Sequence, residues 1–471
     1  FDSINRYDFI EWLELHGSKR ATEAPFVRAG YASIFAVGQP LAAGAALSSG
    51  IRLFTTYRDT YGFGRRMSAG MGDIVFAPLY LLLRERGVTF EFFHKVTRLE
   101  PAADHGRPRI EAIHMEIQAR PKPGRTFDPI VWIKGMPCWP KSLSTARAAR
   151  NGRPAISPLC DDLENGDALK AGEMAGRSVE SFHNPPDAVE SGALELGDGD
   201  IVVLGIPIGA FRVICADLIK GNRRWQEAVE SSATLPTQAF QLWLTKSASD
   251  MGWIDEDPPQ PPFMTAYEEP FDTYADFSQV LPAEAWDDGM VLQAAYFANA
   301  IMSKADEITA PDPELPARQR KEVRQAAIDF LKKHGKPMWS KALANDTFDW
   351  ACIVDDENRE GESRFDSQHY VANVEPSDRY VLSPPGSIDG RLDPGESGFA
   401  NLYLAGDWTY NVISNVGFVE GAVVSGIQAA HAICRDLGCP GNGPRYVLGA
   451  LGRKLMLDEV NTRRIRHTVV D

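Results

Sequence analysis

The chain has 471 residues, enough for about two or three domains with cores of their own, and its composition, 44% hydrophobic and 24% charged, is that of an ordinary soluble protein. A net charge of −15 argues against broad binding to nucleic acid or anionic membrane. The longest apolar run, 74–83, is broken by Pro78 and falls well short of a membrane span. Six cysteines (138, 160, 215, 352, 434 and 439) form no CxxC pair and no zinc-spaced Cys/His cluster. They read as reduced, buried thiols. With no signal peptide in view, the expected location is cytoplasmic.

In chain order, residues 1–60 mix helical patterns with Gly/Ala/Ser turns, as in "DFIEWLELHG" and "PLAAGAALSSG". Gly70, Gly72 and Asp73 then suit a tight turn before a helix that runs to Arg86 and stops at Gly87, with Pro78 forcing a kink or a late start. "VTFEFFHKVTRLE" reads as one or two strands, "EAIHMEIQA" as an alternating strand, and "VWIKGMPCWP" as a strand and turn. "GDIVVLGIPIGAF" has the pattern of a buried strand. Helices such as "RQRKEVRQAAIDFLKKHG" and Pro-rich linkers near 257–262 and 310–316 follow, and 440–471 reads as a peripheral tail with a short basic amphipathic stretch. No repeat is visible.

The densest chemical signal is "NLYLAGDWTYNVISNVGFVEGAVVSGIQAAHAI" at 401–433. A short apolar strand ends in Gly406, which lets backbone approach a ligand closely, and Asp407, which sets a carboxylate at the carboxyl end of the strand. A carboxylate there suits hydroxyl donors and repels phosphate. A helix is expected from Phe418 or Val419 to Leu437 with Gly438 as its stop, and its free N–H groups would favour an electron-rich group. Small residues recur four apart (Gly421 with Ser425, Ala422 with Gly426, Gly426 with Ala430), a face suited to close packing against a neighbour or a flat ligand. A plain strand–loop–helix crossover is the alternative reading.

"LYLAGDWT…GFVEGAVVSGIQAA" resembles the C-terminal flavin-binding segment of the FAD-dependent amine oxidase and phytoene desaturase superfamily. "AGMGDIVFAPLYLLLRERGVTFEFFHKVTRL", "DGDIVVLGIP" and "QHYVANVEPSDRYVLSPPG" resemble further family segments and fall in family order. The resemblance implies FAD as cofactor, with Gly406 and Asp407 at the pyrophosphate and ribityl chain. Gly417, Phe418, Val419 and Glu420 would bring helix N–H groups to the pyrimidine edge of the flavin, and Val96 would touch adenine through its backbone. A plain strand valine is the other reading of Val96.

The family's GxGxxG turn is absent: "GMGDIV" lacks the third glycine and follows no buried strand. The chain also starts at Phe1. The resemblance therefore implies that an N-terminal dinucleotide-binding unit is missing or supplied by a separate chain or segment, without which this chain is not expected to hold FAD alone.

The implied fold class is α/β, a two-domain flavoprotein with a discontinuous Rossmann-like FAD domain and a mixed α+β substrate domain. The FAD domain would gather 67–100, 196–215 and 398–438 around a parallel sheet. The substrate domain would take 1–66 and 216–397, with a strand and loop elaboration at 101–195 and a tail at 439–471. The implied reaction moves a hydride equivalent from a small-molecule amine or amino acid to flavin N5. Alternatives are desaturation of an apolar isoprenoid-like substrate and a non-catalytic flavoprotein-like fragment. Trp408 and Tyr410 could wall the flavin pocket or pack a core, and so could Trp243 and Trp253 in the substrate region. No catalytic residue, metal ligand, nucleic-acid partner or membrane span is assigned.

Overall fold

The computed structural model describes residues 1–24, 40–55, 66–102, 107–141, 143, 159–253, 268–301, 310–344, 346–411 and 414–439. The linker read at 257–262 and the tail at 440–471 lie outside them.

Helices and sheets are mixed, as an α/β class requires, and they surround two large apolar cores. The first core lies under a four-stranded antiparallel sheet in the order His369–Asn373, Thr237–Leu244, Gln293–Ala300, Thr273–Asp276. Alternation along these strands sends Phe240, Leu242, Leu244, Phe297 and Tyr274 to one face. The long helix Leu315–Met338 covers that face with Val323, Ala327, Phe330 and Leu331. Pro316 sits in its first turn, where a missing N–H is harmless. Phe240 and Phe297 stack with ring centroids 4.5 Å apart. Fully burying each such side chain contributes roughly 1.5–3 kcal/mol.

The second core is built on the parallel pair Val202–Leu204 and Leu402–Leu404, the single parallel pairing among the described residues. Leu402, Leu404, Val202 and Leu204 meet Phe211, Leu218 and Trp225 from the short helices of 211–231. Val203 points outward and is 49% exposed, so this strand is covered on one face and not on both.

The strand His94–Ala102 does not join the parallel pair. It forms an antiparallel three-stranded sheet with Arg109–Ile117 and Glu190–Glu195, contributing Leu99 to the second core beside Ile110. The helix before it starts late: a π-helical turn Gly72–Phe76 leads into Ala77–Glu85 with Pro78 in the first turn, and Gly87 follows at φ +86°. Tyr80 carries that helix against Trp139 of the hairpin segment, with ring centroids 5.5 Å apart. The hairpin pairs Val131–Ile133 with Met136–Cys138 across Lys134 and Gly135, both at positive φ, which is the geometry that suits the strand twist.

The N-terminal segment packs both on residues of 216–397, among them Leu235 and Ala300, and on the turn after Asp407. Leu41, Ala42, Ala45 and Ala46, the last two from the helix Ala43–Thr55, share a small core with Leu382, Ile388, Tyr410 and Val416 around the turn after Asp407. Four cysteines, 138, 160, 215 and 352, are buried thiols, while Cys434 is half-buried and Cys439 exposed. Among the described residues no helix is long and apolar enough to cross a membrane.

Candidate functional site

Residues 405–411 and 414–418, after the strand, are fixed from several directions. Gly406 has φ +144°, a conformation that side chains rarely adopt, and the indole of Trp408 folds back over the position a Cβ would take. The Gly406 N–H donates to Ser425 Oγ over 2.7 Å, and that hydroxyl donates onward to the Ala422 carbonyl over 2.6 Å. Farther along, Asn411 donates from Nδ2 to the Gly421 carbonyl, and Asn415 Oδ1 accepts from the Asn411 N–H, both over 2.8 Å. Ser49 and Ser414 share a hydrogen bond of 2.6 Å that ties the N-terminal helix to the same turn.

The helix Val419–Asp436 ends with Gly438 at φ +65°, and no side chain caps its first turn at Phe418. The small residues have two destinations. Gly421, Ser425, Ala429 and Ala432 are buried, the last two packing with Tyr403 of the strand, whereas a Cβ on Gly426 would meet open space. The Gly421/Ser425 spacing therefore serves close packing against the strand end: a Cβ on Gly421 would stand 3.6 Å from the Cβ of Asp407.

Asp407 lies at the end of the parallel strand and lines a cavity of about 240 Å³ with Pro207, Thr237, Asp378, Tyr380 and Trp408. Among the described residues no cation pairs with its carboxylate. Burial raises its pKa, partly offset by the Arg391 guanidinium. Arg391 is itself buried and pulled down to about 10 by that burial, so it stays charged at neutral pH. It donates to the Asp407 and Leu382 carbonyls and to Ser383 Oγ. Tyr380 is raised by burial and by the Asp407 charge, and its hydroxyl donates to the Gly417 carbonyl over 2.5 Å. Trp408 Nε1 is buried with no hydrogen-bond partner among the described residues.

Val96 lies elsewhere along the same groove. It is half-buried, sits next to a register irregularity in its strand, and lines a cavity of about 690 Å³ with Lys95, Glu180, Gly205, Pro207 and Pro376. Both cavities border Pro207, and the segment 376–381 lines each in turn, so they form successive parts of one groove.

The structure thus brings Gly406, Asp407 and Gly417 together around Tyr380 and the start of the helix, with Val96 farther along. Phe418 instead packs into the small N-terminal core. Val419 is 49% exposed, and Glu420 is exposed and paired with Arg52. Sequence reasoning missed Arg391, Tyr380, Thr237 and Pro207. Tyr380 lay inside a quoted segment, but nothing in "IDGRLDPG" marks its arginine as buried. Of the four aromatics left open, Trp408 lines the cavity, Tyr410 is core, Trp253 packs on the first core, and Trp243 stands on the opposite sheet face beside Trp286.

A dinucleotide fits this groove in part. The Asp407 carboxylate accepts from hydroxyls, the orphaned Trp408 N–H offers a donor, and a Cβ on Gly205 would find open space. A diphosphate fits poorly. The acidic lining (Glu116, Glu180, Asp378, Asp407) outnumbers Lys95 and Arg379, and Lys95 already faces Glu116 at 3.8 Å.

No family model and no curated protein matches the chain. Among solved structures it is similar to the crystal structure of an oxidoreductase from Methanosarcina mazei, at 11% identity and a TM-score of 0.30 over 51% of this chain. The chain spans 44% of the length of that protein, and so loose a superposition carries neither fold nor activity across.

Proposed function

We propose that the chain forms part of an FAD-dependent oxidoreductase that removes a hydride equivalent from an amine or amino acid. The parallel pair would belong to a discontinuous Rossmann-like FAD domain and the four-stranded sheet to a substrate domain. The observation that carries the reading is the placement of Asp407: a buried carboxylate with no cation partner among the described residues, at the end of a parallel strand and against the first turn of a helix.

In this reading Asp407 accepts a hydrogen bond from a ribityl hydroxyl, and Arg391 holds the Asp407 main chain in place. Val96 borders the adenine end. Residues 417–420 start the helix whose uncapped N–H groups face an electron-rich ring edge. Bound FAD supplies the hydride acceptor, and the protein supplies position and electrostatics. The acidic lining fits a reading in which the diphosphate would take its donors from a dinucleotide-binding unit of the same or another polypeptide.

The test is the absorbance of the protein purified from the cells that make it, with FAD released on denaturation measured against protein. The expected result is bound FAD in the wild type and at least a roughly tenfold weaker affinity in Asp407→Ala, the worth of a charge-assisted hydrogen bond. Absence of flavin would favour a non-catalytic chain. Undiminished flavin in Asp407→Ala would remove Asp407 from the site.

A further inference from the structure

The face of the four-stranded sheet that turns away from the long helix carries a row of hydrogen-bond donors that the cofactor reading does not use. Register pairs His369 with Gln241 and Gln241 with Tyr296, so the three side chains stand side by side across three strands on one face. Lys141 reaches the same row and donates from Nζ to His369 Nδ1 over 2.8 Å. That bond leaves the imidazole proton on Nε2, a second donor. Gln241, Tyr296 and His369 Nε2 have no side-chain hydrogen-bond partner among the described residues. Neither Lys141 nor Arg320 has a carboxylate partner there. Arg320 of the long helix sits over the Tyr370 ring at 4.3 Å on the other face of the same edge strand, and its positive charge reaches His369 and Lys141.

Four donor groups in line and two cations, with no acid paired to them among the described residues, make a poor structural network and a good anion site. The charges bear this out. Burial, with Lys141 and Arg320 nearby, pulls His369 down to about 4, so it is neutral at physiological pH, and burial with the Arg320 charge lowers Lys141. An arriving anion would relieve that repulsion.

The same face runs back to the cofactor groove. Asn373 donates from Nδ2 to Thr237 Oγ1 over 2.8 Å, and Thr237 lines the Asp407 cavity. From Thr237 to Gln241 is four residues of strand (241 − 237), about 13 Å at ~3.3 Å per residue.

We propose that Lys141, His369, Gln241 and Tyr296 bind the carboxylate of an elongated small molecule, and that this molecule is the substrate. The substrate role rests on the flavin reading above: the bond to be oxidised lies at the Thr237 end and the carboxylate at the His369 end. Phosphate shares the acceptor chemistry, so the test has an arm for each.

Benzoate and inorganic phosphate are titrated separately into the wild type, Lys141→Met and Gln241→Leu, with benzoate followed by its NMR line width and phosphate by calorimetry. Lys141→Met keeps an unbranched side chain of similar length and Gln241→Leu is close to isosteric, so both variants should fold, and thermal melting checks it. The expected result is saturable benzoate binding in the wild type, weakened roughly tenfold to a hundredfold in each variant. Equal binding in all three proteins, or none in the wild type, overturns the site. Phosphate binding tighter than benzoate overturns the carboxylate assignment. FAD content measured on the same proteins separates the two readings: it should be unchanged in Lys141→Met. Benzoate binding by a protein that never holds FAD leaves the anion site standing and overturns its role as a substrate site.

Discussion

Arg391 donates from Nη1 to the main-chain carbonyl of Asp407 over 3.0 Å, and the same guanidinium holds the Leu382 carbonyl and Ser383 Oγ while its Nε has no partner among the described residues. A buried cation that grips the backbone of a residue, and not its carboxylate, fixes where that carboxylate sits without neutralising it by contact. Arg391→Met should therefore act twice. Three acceptors lose their donor in a dry site, at a cost of about 2–4 kcal/mol in unfolding free energy. Asp407 also loses its opposing charge, so its pKa rises further. Denaturant unfolding at neutral pH checks the first effect, and a change within experimental error would mean that the arginine is dispensable to the turn.

Two glycines of the same region should respond in opposite senses to alanine. At Gly406 the backbone has φ +144° and Trp408 occupies the Cβ position, so Gly406→Ala adds backbone strain to a collision with a buried indole. A loss of about 2–4 kcal/mol is expected. At Gly426, inside the helix Val419–Asp436, a Cβ meets nothing within 4 Å. Gly426→Ala should stabilise by about 0.5–1 kcal/mol through helix propensity. Melting temperatures of the two variants measure both signs. Stabilisation at Gly406 would show that the turn relaxes more easily than its packing implies.

Ser425→Ala tests the link between strand and helix. Its hydroxyl accepts from the Gly406 N–H and is fully buried, so the variant strands that donor without changing helix propensity unfavourably. A loss of about 1–3 kcal/mol is expected, read by denaturant midpoint. Ser425→Thr keeps the hydroxyl and separates a hydrogen-bond role from simple packing. If Ser425→Ala is neutral, the N–H has found water.

The sequence pattern made this turn legible because its signals are local. An apolar run, a glycine, an aspartate, a small-residue helix and a stop glycine all lie within 401–438, and the helix runs Val419–Asp436 before Gly438 at φ +65°. The strand character of 94–102 was legible too, but its pairing was not, since alternation fixes a face and says nothing about the neighbour. Arg391 was invisible because burial of a charge is decided by distant partners, here Leu382, Ser383 and Asp407. The donor row was hidden for the same reason: Gln241, Tyr296 and His369 come from three strands far apart in the chain, and only register aligns them.

The pH dependence of stability should carry the mark of Asp272. It is 6% exposed, and burial together with the Glu269 charge holds its pKa up to about 6, against an ordinary 3.8. Because the folded value is the higher one, the folded state binds the proton more tightly. The resulting stabilisation is full below about pH 4 and is lost as pH rises through 6. Asp272→Asn removes the titration and keeps the shape. The difference in unfolding free energy, variant minus wild type, should thus climb between about pH 4 and 6 and level off at neutral pH, with the variant about 1–3 kcal/mol ahead of its acid-pH offset. Asp378 is also held up to about 6, by burial and by Glu375 and Glu180, but it is present in both proteins and cancels in the difference. Chemical denaturation at several pH values measures the curve. A flat difference would show that Asp272 ionises in the folded protein as freely as in the unfolded chain.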